Sequence, residues 1–75
     1  MTFAELTRQI GELGLIPRQE LPYFGIVLEE ETKMKLTERS PQEVAMYMMW
    51  AVKQINRGSV ERVDTLIRRA MEELR

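Results

Sequence analysis

The sequence contains no cysteine and no histidine. Their absence excludes disulfides and thiolate metal sites, and it removes the imidazole that most often acts as a general base or a zinc ligand. Long apolar runs are also missing, since the longest, residues 44–52, is far shorter than the roughly 20 residues that span a bilayer. Neither sign of charge dominates: 11 basic and 12 acidic residues give a net charge of −1, so no global field attracts nucleic acid.

These absences limit the classes of function. The sequence also lacks the Gly-rich phosphate loops and the ligand spacings of metal sites, so we expect no enzymatic activity, no cofactor and no bound metal. Residues 1–75 form one small domain. A core of this size supplies only about 3–5 kcal/mol, and oligomerisation is the remaining way to add stability. The lack of cysteine suits a reducing compartment and no signal-peptide pattern is visible, so we expect a cytoplasmic protein without membrane contact.

The N-terminal segment predicts an amphipathic helix. Thr2 and Glu5 have the spacing of a capping box, and Gly14 is a plausible C-terminal stop. Between them, apolar residues recur at spacings of three, four and three: Phe3, Leu6, Ile10 and Leu13. This spacing places them on one face of a helix.

Residues 23–37 fit two structures. As strands, Phe24, Ile26 and Leu28 share one face, and Met34 and Leu36 form a second alternating pattern. As a helix, the composition of residues 28–35 is favourable, but a stripe set by Phe24 and Leu28 does not accommodate both Met34 and Leu36. Period two explains more of the apolar positions. We therefore expect an α+β fold with an N-terminal helix, a short two-stranded hairpin and a C-terminal helical pair; an all-α small bundle is the alternative.

The C-terminal half predicts two helices. Ser40, Pro41 and Glu43 combine an N-cap, a proline at the first helical position and a capping-box acid, and this helix extends to about Arg57. Gly58 supplies a stop and Ser59 a new cap, after which a second amphipathic helix occupies residues 60 to about 74. Its predicted core stripe consists of Val60, Val63, Ile67, Ala70 and Leu74. In that helix Asp64–Arg68 and Arg69–Glu73 have i,i+4 spacing, which is typical of a solvated face.

The first of these two helices has more apolar residues than one face requires. At 100° per residue, one core stripe consists of Val44, Met48, Ala51, Val52 and Ile55. Outside that stripe lie four further apolar residues: Met46, Tyr47, Met49 and Trp50. Met adapts to irregular partners and Trp is enriched at binding hot spots. The second group is therefore a candidate interaction surface, covered within the monomer, by a second copy or by another partner.

The polar residues Lys33, Lys35 and Thr37 would point the same way from one strand. Together with the helix start at Pro41, the Gly58-Ser59 break and the last helix, they make residues 33–75 resemble the ribbon-helix-helix family of small DNA-binding repressors. In that family two chains pair their strands into a ribbon whose outward side chains read base edges in the major groove. The resemblance implies that Lys33, Lys35 and Thr37 read bases and that Ser59 contacts phosphate.

From the sequence we expect a small non-catalytic protein–protein interaction or adaptor module that acts as a homodimer. Its predicted interaction surface consists of Met46, Tyr47, Met49 and Trp50. The alternative function is that of a ribbon-helix-helix-like transcriptional regulator, and nucleic acid is a partner only under that alternative.

Overall fold

The computed structural model of the protein describes residues 1–74. Over these residues the chain forms five α-helices and no strand. The helices are α1 (Phe3–Leu13), α2 (Leu21–Val27), α3 (Glu30–Leu36), α4 (Pro41–Asn56) and α5 (Val63–Glu73). The expected α+β fold is therefore wrong, and the observed fold is all-helical, the class that the sequence left as the alternative.

The predicted hairpin is replaced by two short helices, α2 and α3, because the buried residues of this segment follow a helical period. The buried positions are spaced three, four, four and four residues apart: Leu21, Phe24, Leu28, Thr32 and Leu36. Ile26 and Met34, which gave the segment its period of two, are exposed. Thr32 completes the stripe. Because Thr32 is polar, the apolar residues of the sequence alone do not show this helical spacing.

The charges of α3 favour a helix at this position. Glu30 and Glu31 occupy its first turn, where negative charge complements the helix dipole, and Lys33 and Lys35 lie in its last turn. The pairs Glu30–Lys33 and Glu31–Lys35 form salt bridges of 3.5 and 3.1 Å along the helix surface. Such i,i+3 and i,i+4 pairs stabilise a helix by a few tenths of a kcal/mol each.

The helix ends predicted from capping residues are confirmed for α1 and for the start of α4. The Thr2 hydroxyl accepts a hydrogen bond of 3.2 Å from the Glu5 N–H, and the Ser40 hydroxyl accepts one of 3.3 Å from the Glu43 N–H. Gly14 ends α1 in the left-handed conformation, with φ of 69°. These ends depend on local chemistry, which the sequence displays directly.

The last helix begins three residues later than predicted. Gly58 adopts a φ of 96° and turns the chain after α4, but α5 begins at Val63 with Arg62 as its N-cap residue. Ser59 accepts a hydrogen bond from the Glu61 N–H within the connecting segment and does not cap α5. Val60 consequently leaves the predicted core stripe and is 98% exposed.

Helix α4 is the central element of the molecule. It packs against both α5 and α1. The predicted core stripe of α4 is confirmed, since Val44, Met48 and Ala51 are buried and Val52 and Ile55 are partly buried against the core. Fully covered partners from the other helices complete this core: Leu6, Ile10, Phe24, Leu36, Leu66, Ile67 and Ala70.

A polar network joins the α2–α3 connection to α5. Asp64 is only 3% exposed, and its Oδ1 accepts a hydrogen bond of 3.1 Å from the N–H of Glu29, the N-cap residue of α3. Arg68 Nη2 lies 2.9 Å from the other Asp64 oxygen and 2.8 Å from a Glu29 oxygen. Arg68 Nε donates to the hydroxyl of buried Thr32 at 3.1 Å. This network explains why a threonine and an aspartate are buried in a small core.

Candidate functional site

The four residues of the predicted surface on α4 separate into different environments. Met46 is 53% exposed and Met49 is 37% exposed. Trp50 is partly buried and packs against the edge of the core. Tyr47, by contrast, is only 3% exposed. The monomer therefore covers Tyr47 and most of Trp50, and it leaves about half of Met46 and more than a third of Met49 exposed.

Tyr47 is a core residue with a polar end. Its ring is buried, whereas its hydroxyl donates to a Glu43 oxygen at 3.3 Å and accepts from Arg39 Nη1 at 3.3 Å. The Arg39 guanidinium also lies over the ring, 5.7 Å from the centroid. On the helical wheel Tyr47 lies at the edge of the apolar surface, and the contact with Arg39 from the α3–α4 connection lies on the covered side of that edge. Tyr47 is therefore not an accessible part of the surface.

Trp50 is flanked by a charged group from α5. The Arg69 guanidinium lies 5.5 Å from the centroid of the indole ring, within the range of a cation–π contact. Arg69 Nη1 is held by both carboxylate oxygens of Glu61, at 2.7 and 2.8 Å. These hydrogen bonds raise the pKa of the Arg69 guanidinium above its ordinary value, and the arginine stays charged. One edge of the tryptophan thus faces a fixed cation from the same chain.

We define the α4 surface as Met46, Met49 and Trp50, the members of the predicted group that retain exposure. Gln42 and Lys53, both exposed, stand near its two ends on the same side of the helix. Flexible thioether side chains beside a tryptophan can adapt to an apolar partner. This arrangement can bind a protein surface, but it presents no nucleophile or general base among its three residues.

The residues predicted to contact DNA do not form a common surface. Lys33 and Lys35 belong to α3, where two residues correspond to a rotation of about 200°, so they point in different directions. The Lys33 ammonium lies over the Phe3 ring at 5.7 Å, and the Thr37 hydroxyl donates to the Met34 carbonyl at 2.6 Å. Ser59 lies outside α5. The base-reading arrangement requires a strand, whereas Lys33 and Lys35 lie in helix α3. Among the described residues, no contact of this segment favours DNA binding.

The structure contains a second apolar feature, a groove that was not predicted from the sequence. A groove of about 500 Å³ lies between α2 and the segment that connects α4 to α5. Its apolar lining comes from five residues: Tyr23, Val27, Ile55, Val60 and Val63. Because Val60 and Ile55 both fit helical stripes, the sequence assigned them to the core. The late start of α5 is what opens this groove, and no local sequence signal distinguished that start.

Within residues 1–74, no helix is long and apolar enough to cross a membrane, and no group of three or more acidic side chains is arranged to hold a metal ion. Comparison of the chain with protein-family models, with curated proteins and with solved structures finds no match. The function is therefore argued from the surface itself.

Proposed function

We propose that this chain is a small, non-catalytic protein–protein interaction module, and that it acts as a homodimer through the α4 surface. The supporting observation is the partial exposure of Met46 and Met49 beside a partly buried Trp50 on the central helix. Large apolar side chains that lie together on a surface mark interaction sites, whereas isolated ones are normal. We expect the module to act in the cytoplasm, whose reducing conditions suit a chain without cysteine.

The size of this surface indicates a dimer of modest affinity. Burying a fully exposed methionine contributes about 1.5–3 kcal/mol, so four half-exposed methionines across a two-fold interface contribute roughly 3–6 kcal/mol. A micromolar complex requires about 8 kcal/mol after the cost of association is met. Trp50 and the polar residues Gln42 and Lys53 at the ends of the surface therefore have to contribute as well. A reversible dimer with a dissociation constant in the micromolar range or weaker is the expected state.

The test is the replacement of both methionines by serine. The variant Met46→Ser/Met49→Ser removes apolar area from the interface, and its cost in the monomer is limited because both side chains are partly exposed. We expect light scattering to report a dimer for the wild-type chain at high concentration, and a dissociation constant raised at least about tenfold in the variant.

The matched control is Met34→Ser, which changes an exposed methionine on α3 that lies outside the α4 surface. It should leave the dissociation constant unchanged, and circular dichroism should show equal helix content in all three proteins. A wild-type chain that stays monomeric at every accessible concentration contradicts the homodimer, and equal effects of the two replacements contradict the location of the interface.

A further inference from the structure

The charges at the two ends of the α4 surface differ. Glu43 lies near its N-terminal end, and the basic residues Lys53 and Arg57 lie near its C-terminal end. At 100° per residue, Lys53 and Arg57 fall within about 20° of Met46, so they share the side of the helix that carries the surface. Lys53 is exposed and makes no salt bridge with any residue in the range 1–74. Its charge is available to an approaching molecule.

Two copies can pair face to face through α4 with the helices parallel or antiparallel. The parallel arrangement places Lys53 against the same residue of the other copy, and Arg57 likewise, so like charges meet at one end. The antiparallel arrangement places Lys53 level with Gln42 and Glu43 of the other copy. Antiparallel helices also align opposite ends of their dipoles. Both effects favour the antiparallel pair.

We propose that two copies of this chain pair through an antiparallel α4–α4 contact whose two-fold axis lies level with the midpoint between Met46 and Met49. This inference rests on the proposed function and specifies the geometry of its dimer. The apolar centre then brings Met46 of one copy level with Met49 of the other, and each Lys53 lies beside Gln42 of the other copy. Glu43 already holds Arg39 at 3.7 Å. The antiparallel direction of the two helices is therefore favoured by the avoided repulsion between basic residues more than by any new ion pair.

The geometry determines which introduced cysteines can form a disulfide. Gln42 and Lys53 are eleven residues apart, which corresponds to about 16 Å along a helix. A disulfide requires Cα atoms within about 7 Å. In the antiparallel pair, position 42 is close to position 53 of the other copy and far from its own equivalent. In a parallel pair, each position is close to its own equivalent.

Because the protein has no native cysteine, only the introduced thiols can form disulfides in this experiment. Gln42→Cys and Lys53→Cys variants are incubated separately and as a mixture in a glutathione redox buffer, and disulfide-linked dimers are separated by mass. We expect a linked species mainly in the mixture, several-fold above either variant alone. The variant Met34→Cys, outside the α4 surface, is the control for random collision and should link weakly in every combination.

The possible results separate the geometry from the proposed function. Self-linkage of Gln42→Cys overturns the antiparallel pair and leaves the homodimer intact. Light scattering that shows a dimer without linkage between positions 42 and 53 also overturns this geometry. A chain that is monomeric in light scattering and unlinked in all mixtures overturns both proposals.

Charge substitutions give a second, independent test with opposite signs for the two arrangements. Gln42→Glu places an acid beside Lys53 of the other copy in the antiparallel pair, so the dissociation constant should fall about two- to tenfold at low salt. In a parallel pair the same change places two glutamates together and raises the dissociation constant. Lys53→Gln should raise the dissociation constant or leave it unchanged in the antiparallel pair, whereas relief of repulsion lowers it in a parallel pair. Either sign reversal overturns the proposal.

Discussion

Asp64 is the residue whose environment departs most from its sequence context. Its spacing to Arg68 is typical of a solvated helix face, and the salt bridge between them does form. The aspartate is nevertheless buried, because its second oxygen accepts the Glu29 N–H from 35 positions away. Helix periodicity reports which residues share a face but not which distant backbone group requires an acceptor. Asp64 is thus a tertiary helix cap, and the sequence gives no local sign of it.

Replacement of this cap should destabilise the fold. Asp64→Ala leaves the Glu29 N–H without its acceptor and removes a charge partner of Arg68, so we expect the free energy of unfolding to fall by about 2 kcal/mol. Asp64→Asn retains an oxygen at that position and should lose less. Urea denaturation followed by circular dichroism measures both. Glu72→Ala, on an exposed acid of the same helix, should stay within about 0.5 kcal/mol of wild type; a comparable loss there would contradict the tertiary cap.

The helices show which parts of a sequence determine their own structure. The extents of α1 and α4 were predictable because Thr2, Ser40 and Gly14 specify ends through local hydrogen bonds and backbone conformation. The short helices α2 and α3 were not predictable, since their stripe includes the polar residue Thr32, whose hydroxyl accepts a hydrogen bond from the distant Arg68. The α4 surface was partly predictable: the wheel isolated Met46 and Met49, but it could not show that other elements bury Tyr47.

The turn between α4 and α5 depends on glycine. Gly58 has a φ of 96°, and a Cβ added there meets no atom within 4 Å, so the cost of a side chain is purely conformational. We expect Gly58→Ala to lower the free energy of unfolding by about 1–2 kcal/mol. The matched variant is Gly25→Ala in α2, where the new Cβ lies at an ordinary 3.6 Å from the Phe3 ring.

Gly25→Ala should be neutral or raise the free energy of unfolding by up to about 1 kcal/mol, because alanine favours the helix. Thermal and urea unfolding of the two variants provide the comparison. Similar losses from both substitutions would show that the chain does not need a left-handed residue at position 58.

At the scale of the whole molecule, a small core and an uncovered apolar surface occur together. The described helices bury most of their apolar residues, yet the central helix keeps two methionines exposed while its opposite side is fully packed. A chain of this size has little stability in reserve. Association through the α4 surface would therefore contribute to the stability of the fold as well as to its function.

This coupling predicts that the melting temperature depends on protein concentration. Dimerisation stabilises the native state by mass action, so above the dissociation constant each tenfold increase in concentration should raise the melting temperature by about 3–5 °C. Circular dichroism melts across roughly a hundredfold range of concentration measure this shift. The Met46→Ser/Met49→Ser variant should show little dependence, and a constant melting temperature for the wild-type chain would argue against the dimer.

The hydrogen bond from the Glu29 N–H to Asp64 also affects the order in which parts of the chain become structured during synthesis. Asp64 is translated long after the α2–α3 connection that it caps, and α3, with seven residues, is too short to persist as an isolated helix. The nascent chain therefore passes through a stage in which Thr32 has emerged without Arg68, its hydrogen-bond donor on α5. We therefore expect the α2–α3 connection to reach its native stability only after α5 has been synthesised.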